Sequence, residues 1–233
     1  MGTVFLIFEI IGTVAVAISG AMEGIRRDMD LFGILMLGLV TAVGGGVVRD
    51  VIIGYTPPAA FRHPYCAVIA LVVGAVVFAA VCRIRRCVGL KTRKCMEVLL
   101  FFADTLGLAA FTVLGLEGAL RFDANSSGAV LLFVGVITGI GGGILRDVLA
   151  GTVPFVFRKH VYALASILGA GVMLLLLPVA GLSMELAALG GFGAVIVLRI
   201  LAARRHWNLP KVHSGQEQPA SGGRPAGDSV PMP

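Results

Sequence analysis

At 233 residues, 58% hydrophobic and only 14% charged, with a mean hydropathy of +0.96, the chain lies outside the balance of soluble domains, roughly 45–50% apolar and 25% charged. That excludes a soluble enzyme and predicts an all-α polytopic membrane protein. The formal charge of +6 calls for no nucleic-acid partner, because the excess Lys and Arg fall where anionic membrane lipids would meet them.

Apolar runs of spanning length predict seven helices, near 4–22, 31–54, 64–82, 97–116, 128–151, 162–180 and 184–203. The first lacks a basic leader and a convincing small-residue cleavage site, so it is expected to stay as a span rather than leave as a signal peptide. Ser19 and Gly20 within it suit close helix packing. Glu9 and Gly12 recur as Asp104 and Gly107 in the fourth span, so both acids are candidates to line a vestibule.

The second span carries Thr41 and Gly44-Gly45-Gly46-Val47-Val48-Arg49-Asp50, and 97 residues later the fifth carries Thr138 and Gly141-Gly142-Gly143-Ile144-Leu145-Arg146-Asp147. Gly54, Pro57, His63 and Tyr65 keep the same spacing to Gly151, Pro154, His160 and Tyr162. Chance similarity between apolar helices would not hold such different residue types in register, so the chain is a duplication. Each glycine costs about 1 kcal/mol relative to alanine in a helix interior, and three in succession predict that helices 2 and 5 are broken there. In hydrocarbon the freed peptide groups would have to face protein or a wet lumen.

An arginine within the bilayer normally pairs or faces water. Arg49 and Asp50 are neighbours about 100° apart on one helix, which favours pairing across the two-fold, Arg49 with Asp147 and Arg146 with Asp50. The ends of half-helices at the glycines could serve two ligands. A bare monovalent cation would use carbonyls and the Thr41 and Thr138 hydroxyls. A small zwitterion would set its carboxylate against Arg49 or Arg146 and its ammonium against Asp50 or Asp147.

His63 and His160 mark membrane boundaries, where such rings are ordinary. Glu23 and Glu117 occupy matched loop positions and are expected to be solvated, Glu23 forming a surface pair with Arg26.

The loop at 83–95 holds Arg83, Arg85, Arg86, Lys91, Arg93 and Lys94 and is expected in the cytoplasm. Arg26, Arg27, Arg158, Lys159, Arg204, Arg205 and Lys211 then share its side, leaving Arg62 and Arg121 opposite. The N-terminus is outside, the C-terminus inside. Residues 4–82 form a first three-helix repeat, 96–180 a second that three helices per unit must invert, and 181–203 a seventh helix. The Pro-, Ser- and Gly-rich tail over 208–233 reads as disordered and cytoplasmic. Cys66, Cys82, Cys87 and Cys95 lack metal-ligand spacing and are expected as free thiols. No phosphate loop, catalytic triad or cofactor box occurs, so neither an enzyme nor a cofactor is expected.

Ala17–Ala21, Thr41–Asp50, Asp104–Leu108 and Gly141–Asp147 with Pro154 together resemble the prokaryotic branch of the trimeric intracellular cation (TRIC) channel family, also described as a glycine transporter domain family. The resemblance covers about residues 4–203. It implies a homotrimer with one pore per protomer, lined by helices 2 and 5 and passing monovalent cations, chiefly potassium. It makes Gly44, Gly45, Gly46, Arg49, Gly141, Gly142, Gly143 and Arg146 pathway residues. The family's second name keeps a small amino-acid carrier, for glycine, as the alternative. The Lys-Glu-Val lipid motif of animal members is absent, so inositol-lipid regulation is not carried over.

Overall fold

The structure is a computed structural model that describes residues 2–87, 92–123, 125–158, 161–179 and 183–205. His160, part of the basic loop and the tail lie outside them. The described residues form α1 (Thr3–Arg26), α2 (Leu31–Ile53), α3 (Ala59–Arg62), α4 (Tyr65–Cys87), α5 (Thr92–Phe122), α6 (Gly128–Leu149), α7 (Phe155–Arg158), α8 (Val161–Val179) and α9 (Met184–Arg204). Six are long and apolar enough to cross a membrane, and α8 is a shorter apolar helix. With lipid unable to satisfy a peptide group, the all-helical solution follows directly.

The duplication is visible in three dimensions. α1, α2 and the short α3 before α4 correspond to α5, α6 and the short α7 before α8. α2 gives way to a left-handed Gly54 (φ 78°), and α6 is followed by Gly151 (φ 66°), a conformation that costs glycine nothing.

The two units run in opposite directions. Gly12 of α1 packs on Ala110 of α5 while Gly107 packs on Val16, so α1 and α5 are antiparallel. Arg49, late in α2, lies against Gly118, late in α5, whereas Arg146, late in α6, reaches Asp104, early in α5. The ends of α2 and α6 therefore point to opposite faces of the bundle. α9 lies against the second unit, where Gly169 meets Val195 and Gly191 meets Met173. It also reaches the first unit, where Phe8 stacks on Phe192 at 4.7 Å and 16°.

The break predicted in helices 2 and 5 is absent: α2 and α6 run without interruption through Gly44–Gly46 and Gly141–Gly143. Energetics explain this. Opening the ladder would strand peptide groups at several kcal/mol each in an apolar interior, more than the roughly 1 kcal/mol per glycine lost in helix propensity. The glycines instead let two backbones touch.

Candidate functional site

α2 and α6 cross at their central glycines. A Cβ added to Gly45 would overlap the Thr138 carbonyl oxygen, and one added to Gly142 would overlap that of Thr41, so each glycine fits under the other helix's threonine. Both threonines turn their hydroxyls back along their own helices, to Leu37 O and to Val134 O. The free space at this crossing is about 10 Å³, bounded by Thr41, Gly45, Asp104, Thr138, Gly142 and Tyr162 among others. That is close to the minimum for one water.

A cavity adjoins the crossing on each side. The first, about 160 Å³, opens among α1, α2, α4 and α5 and is lined by Glu9, Thr13, Gly46, Arg49, Asp50, His63, Tyr65, Cys66 and Glu117. Ala42 and Phe111 belong to both its wall and the crossing. The second, about 240 Å³, is lined by Arg26, Glu97, Phe101, Asp104, Arg146 and Arg199, and Asp104 joins it to the crossing. Glu9 and Asp104, the two acids expected as vestibule candidates, line the first and the second cavity respectively.

The predicted cross-pairing of the arginines is not formed. Arg49 binds its own neighbour, with Nε and Nη2 each 2.8 Å from Asp50 Oδ1, and Arg146 repeats this with Asp147 at 2.8 Å. Because the two helices are antiparallel, the pairs sit at opposite faces and cannot reach one another. The long arginine side chain folds back to cover the 100° that separates adjacent residues. Each aspartate then uses its second oxygen on the following short helix: Asp50 Oδ2 accepts from Ala59 N and Asp147 Oδ2 from Phe155 N, both at 2.7 Å. These acids are therefore anchors of the α2–α3 and α6–α7 turns as well as counter-charges.

The two ends differ in one respect that the repeat does not predict. Arg146 also donates to Ser19 and to Asp104 Oδ1 (2.9 Å), and Arg199 from α9 donates to Asp104 Oδ2 (3.1 Å). Arg199 further donates to Thr105 and lies over the rings of Phe101 and Tyr162. Both arginines line a cavity, but Arg146 is 3% exposed against 18% for Arg49, so it is the one locked into a network.

Of the remaining glycines, Gly44 faces Leu145, Gly141 faces Gly45, Gly143 faces Tyr162, and Gly46 has open space beside it. Glu23 and Glu117 are buried rather than solvated; each is covered by arginines one turn away, Arg26 and Arg27 for the first and Arg121 for the second. Those i,i+3 and i,i+4 arginines were the available signal. Ser19, read as packing, is a polar partner of Arg146; Tyr162 was marked only by its repeat of Tyr65, and Arg199 carried no signal beyond being a polar residue in an apolar helix.

The family model described as "Glycine transporter" matches residues 6–81 and 101–178, one block for each repeat. The inner membrane protein YadS of Escherichia coli K12 is 36% identical over 202 residues, covering 87% of this chain and 93% of its own. A membrane protein of Deinococcus radiodurans is 39% identical over 204 residues, covering 87% and 89%. Among solved structures, the TRIC trimeric intracellular cation channel orthologue from Rhodobacter sphaeroides superposes with a TM-score of 0.78 at 31% identity, over 88% of this chain and all of that one. A structure described as the basis for conductance through TRIC cation channels gives 0.74 at 34% identity, over 88% and 96%. With both repeats matched and the whole helical bundle shared, the chain belongs to the glycine transporter family, in which its structural neighbours are the TRIC cation channels.

Proposed function

We propose that the protein is a cation channel of the inner membrane that passes monovalent cations, chiefly potassium, through a pathway within each protomer of a homotrimer. The observation that carries this reading is the pair of cavities, each holding charged side chains, that adjoin the α2–α6 crossing from opposite faces, with about 10 Å³ between them. Two cavities separated at one narrow point have the shape of a closed pore. Thr41, Gly45, Thr138 and Gly142 form the constriction, while Gly46, Arg49 and Asp50 line one approach and Asp104, Arg146 and Asp147 belong to the other. Each arginine is neutralised by its neighbouring aspartate, so neither approach repels a cation.

The structural neighbours support conduction, since they are cation channels by name. The positive-inside pattern supports an outward N-terminus and a cytoplasmic C-terminus. Membrane lipids are the surrounding partners. Glycine transport is a second reading, favoured by the description of the family model. Against it, Arg146 is already held by Asp104, Asp147 and Ser19, Arg199 by Asp104, and Arg49 by Asp50, so a substrate carboxylate would have to displace a protein carboxylate at each.

Proteoliposomes holding the purified chain are expected to release a potassium gradient well above the rate of empty vesicles and to show no saturable uptake of labelled glycine. Potassium release equal to that of empty vesicles overturns the channel reading, and saturable glycine uptake replaces it with the carrier.

A further inference from the structure

Thr13 is the one intramembrane threonine whose behaviour differs from that of its fellows. Thr41, Thr105, Thr112 and Thr138 each donate to the carbonyl four residues back. Thr13 is 0% exposed, yet its hydroxyl has no such bond. It lies against the Cys66 thiol, a weak partner at best, and it lines the first cavity.

Glu9 stands one turn before it on the same face of α1. Its carboxylate accepts from Cys66 Sγ at 3.5 Å and from the Tyr65 hydroxyl, and its Oε2 is buried without a hydrogen-bond partner. Two oxygen acceptors four residues apart thus face one cavity unsatisfied.

The repeat shows what such an acid needs. Asp104 is the counterpart of Glu9, as Gly107 is of Gly12, and it holds two guanidinium groups, from Arg146 and Arg199. The second of these comes from α9, a helix that the first unit has no copy of. Arg49, the counterpart of Arg146, is taken by Asp50, and Glu117 pairs with Arg121. Among the described residues Glu9 makes no ion pair. Arg49 offsets Asp50 within this wall and Arg121, outside it, offsets Glu117, which leaves the Glu9 carboxylate without a counter-charge.

We infer that Glu9 and Thr13 form a binding site for a single, partly dehydrated monovalent cation in the first cavity, taking the place that an arginine occupies at the equivalent point of the second. Hard oxygen donors and one uncompensated negative charge fit an alkali cation, whereas a divalent ion would call for more carboxylates. The inference deepens the channel reading and rests on it for its role, not for its evidence.

The test uses the purified full chain and measures its thermal unfolding midpoint as potassium replaces N-methyl-D-glucamine at constant ionic strength. The midpoint is expected to rise saturably with potassium, as binding to the folded state requires. Glu9→Gln and Thr13→Val should each raise the half-saturating concentration tenfold or more, and Thr13→Ser should restore it. Since each variant is read by its potassium dependence, a change in its basal stability does not enter.

A wild-type midpoint indifferent to potassium, or one whose dependence survives both substitutions, overturns the site. Crystals of the wild-type protein soaked in rubidium give a check that needs no variant: an anomalous peak touching Glu9 and Thr13 supports the site, and a cavity without one contradicts it. Flux measured on the same protein separates the two claims. Potassium flux with a flat stability profile defeats the site alone, while a saturable profile lost in Glu9→Gln without any flux defeats the channel alone.

Discussion

Alanine at Gly45 or at Gly142 is expected to lower stability by about 1–3 kcal/mol, because the added methyl meets a backbone carbonyl that cannot move without parting α2 from α6. The double variant should cost less than the sum of the two, since a single separation of the helices relieves both overlaps. Gly46→Ala is expected to do the reverse. Nothing lies within 4 Å of its added Cβ, and the gain in helix propensity is about 1 kcal/mol. Reversible unfolding in mixed micelles measures all four proteins. Equal penalties at Gly45 and Gly46 would mean that the glycines act through flexibility along the helix rather than through the crossing.

Asp104→Asn is expected to be more damaging still, by about 3–5 kcal/mol, because it removes the carboxylate that pairs with two buried guanidinium groups at once. Adding Arg199→Met removes one stranded charge, so the pair of substitutions should be milder than their sum by about 1 kcal/mol or more. The opposite end of the molecule supplies the control. Arg49→Met removes the counterpart arginine from a site that is 18% exposed, where water shares the burden, and is expected to cost less than Arg146→Met. Equal costs at Arg49 and Arg146 would contradict the asymmetry drawn between the two ends.

The duplication and the span order were legible in the residues, because a spacing of 97 kept through glycine, arginine, aspartate and proline leaves little freedom, and apolar length sets a span. The state of α2 and α6 at their glycines was not. Helix propensity is a local quantity, while the decision to stay helical depends on what would otherwise satisfy the backbone. The arginine partners were hidden for a related reason. A helical wheel gives the angle between Arg49 and Asp50 but not the reach of a side chain that can curl over its neighbour. Which pairs could meet across the two-fold depended on the antiparallel course of α2 and α6, which puts their ends on opposite faces. Arg199 lies outside the repeat altogether, so no internal comparison could point to it. Glu9 and Asp104 were found together because the duplication places them in register, and the missing arginine at Glu9 emerges only when the two ends are set side by side.

The central claim is that cations pass through the cavity beside Gly46 on their way to the crossing. Gly46 can be tested without disturbing the packing, since its Cβ direction is open and lines that cavity. In a Cys66→Ser background, which removes the native thiol from the same wall, Gly46→Cys protein is to be assayed for potassium flux before and after a positively charged methanethiosulfonate reagent. Mixed-disulfide formation is expected to bring flux down to that of empty vesicles, and reduction with dithiothreitol to restore it. Fully labelled protein whose potassium flux is unchanged would contradict the pathway.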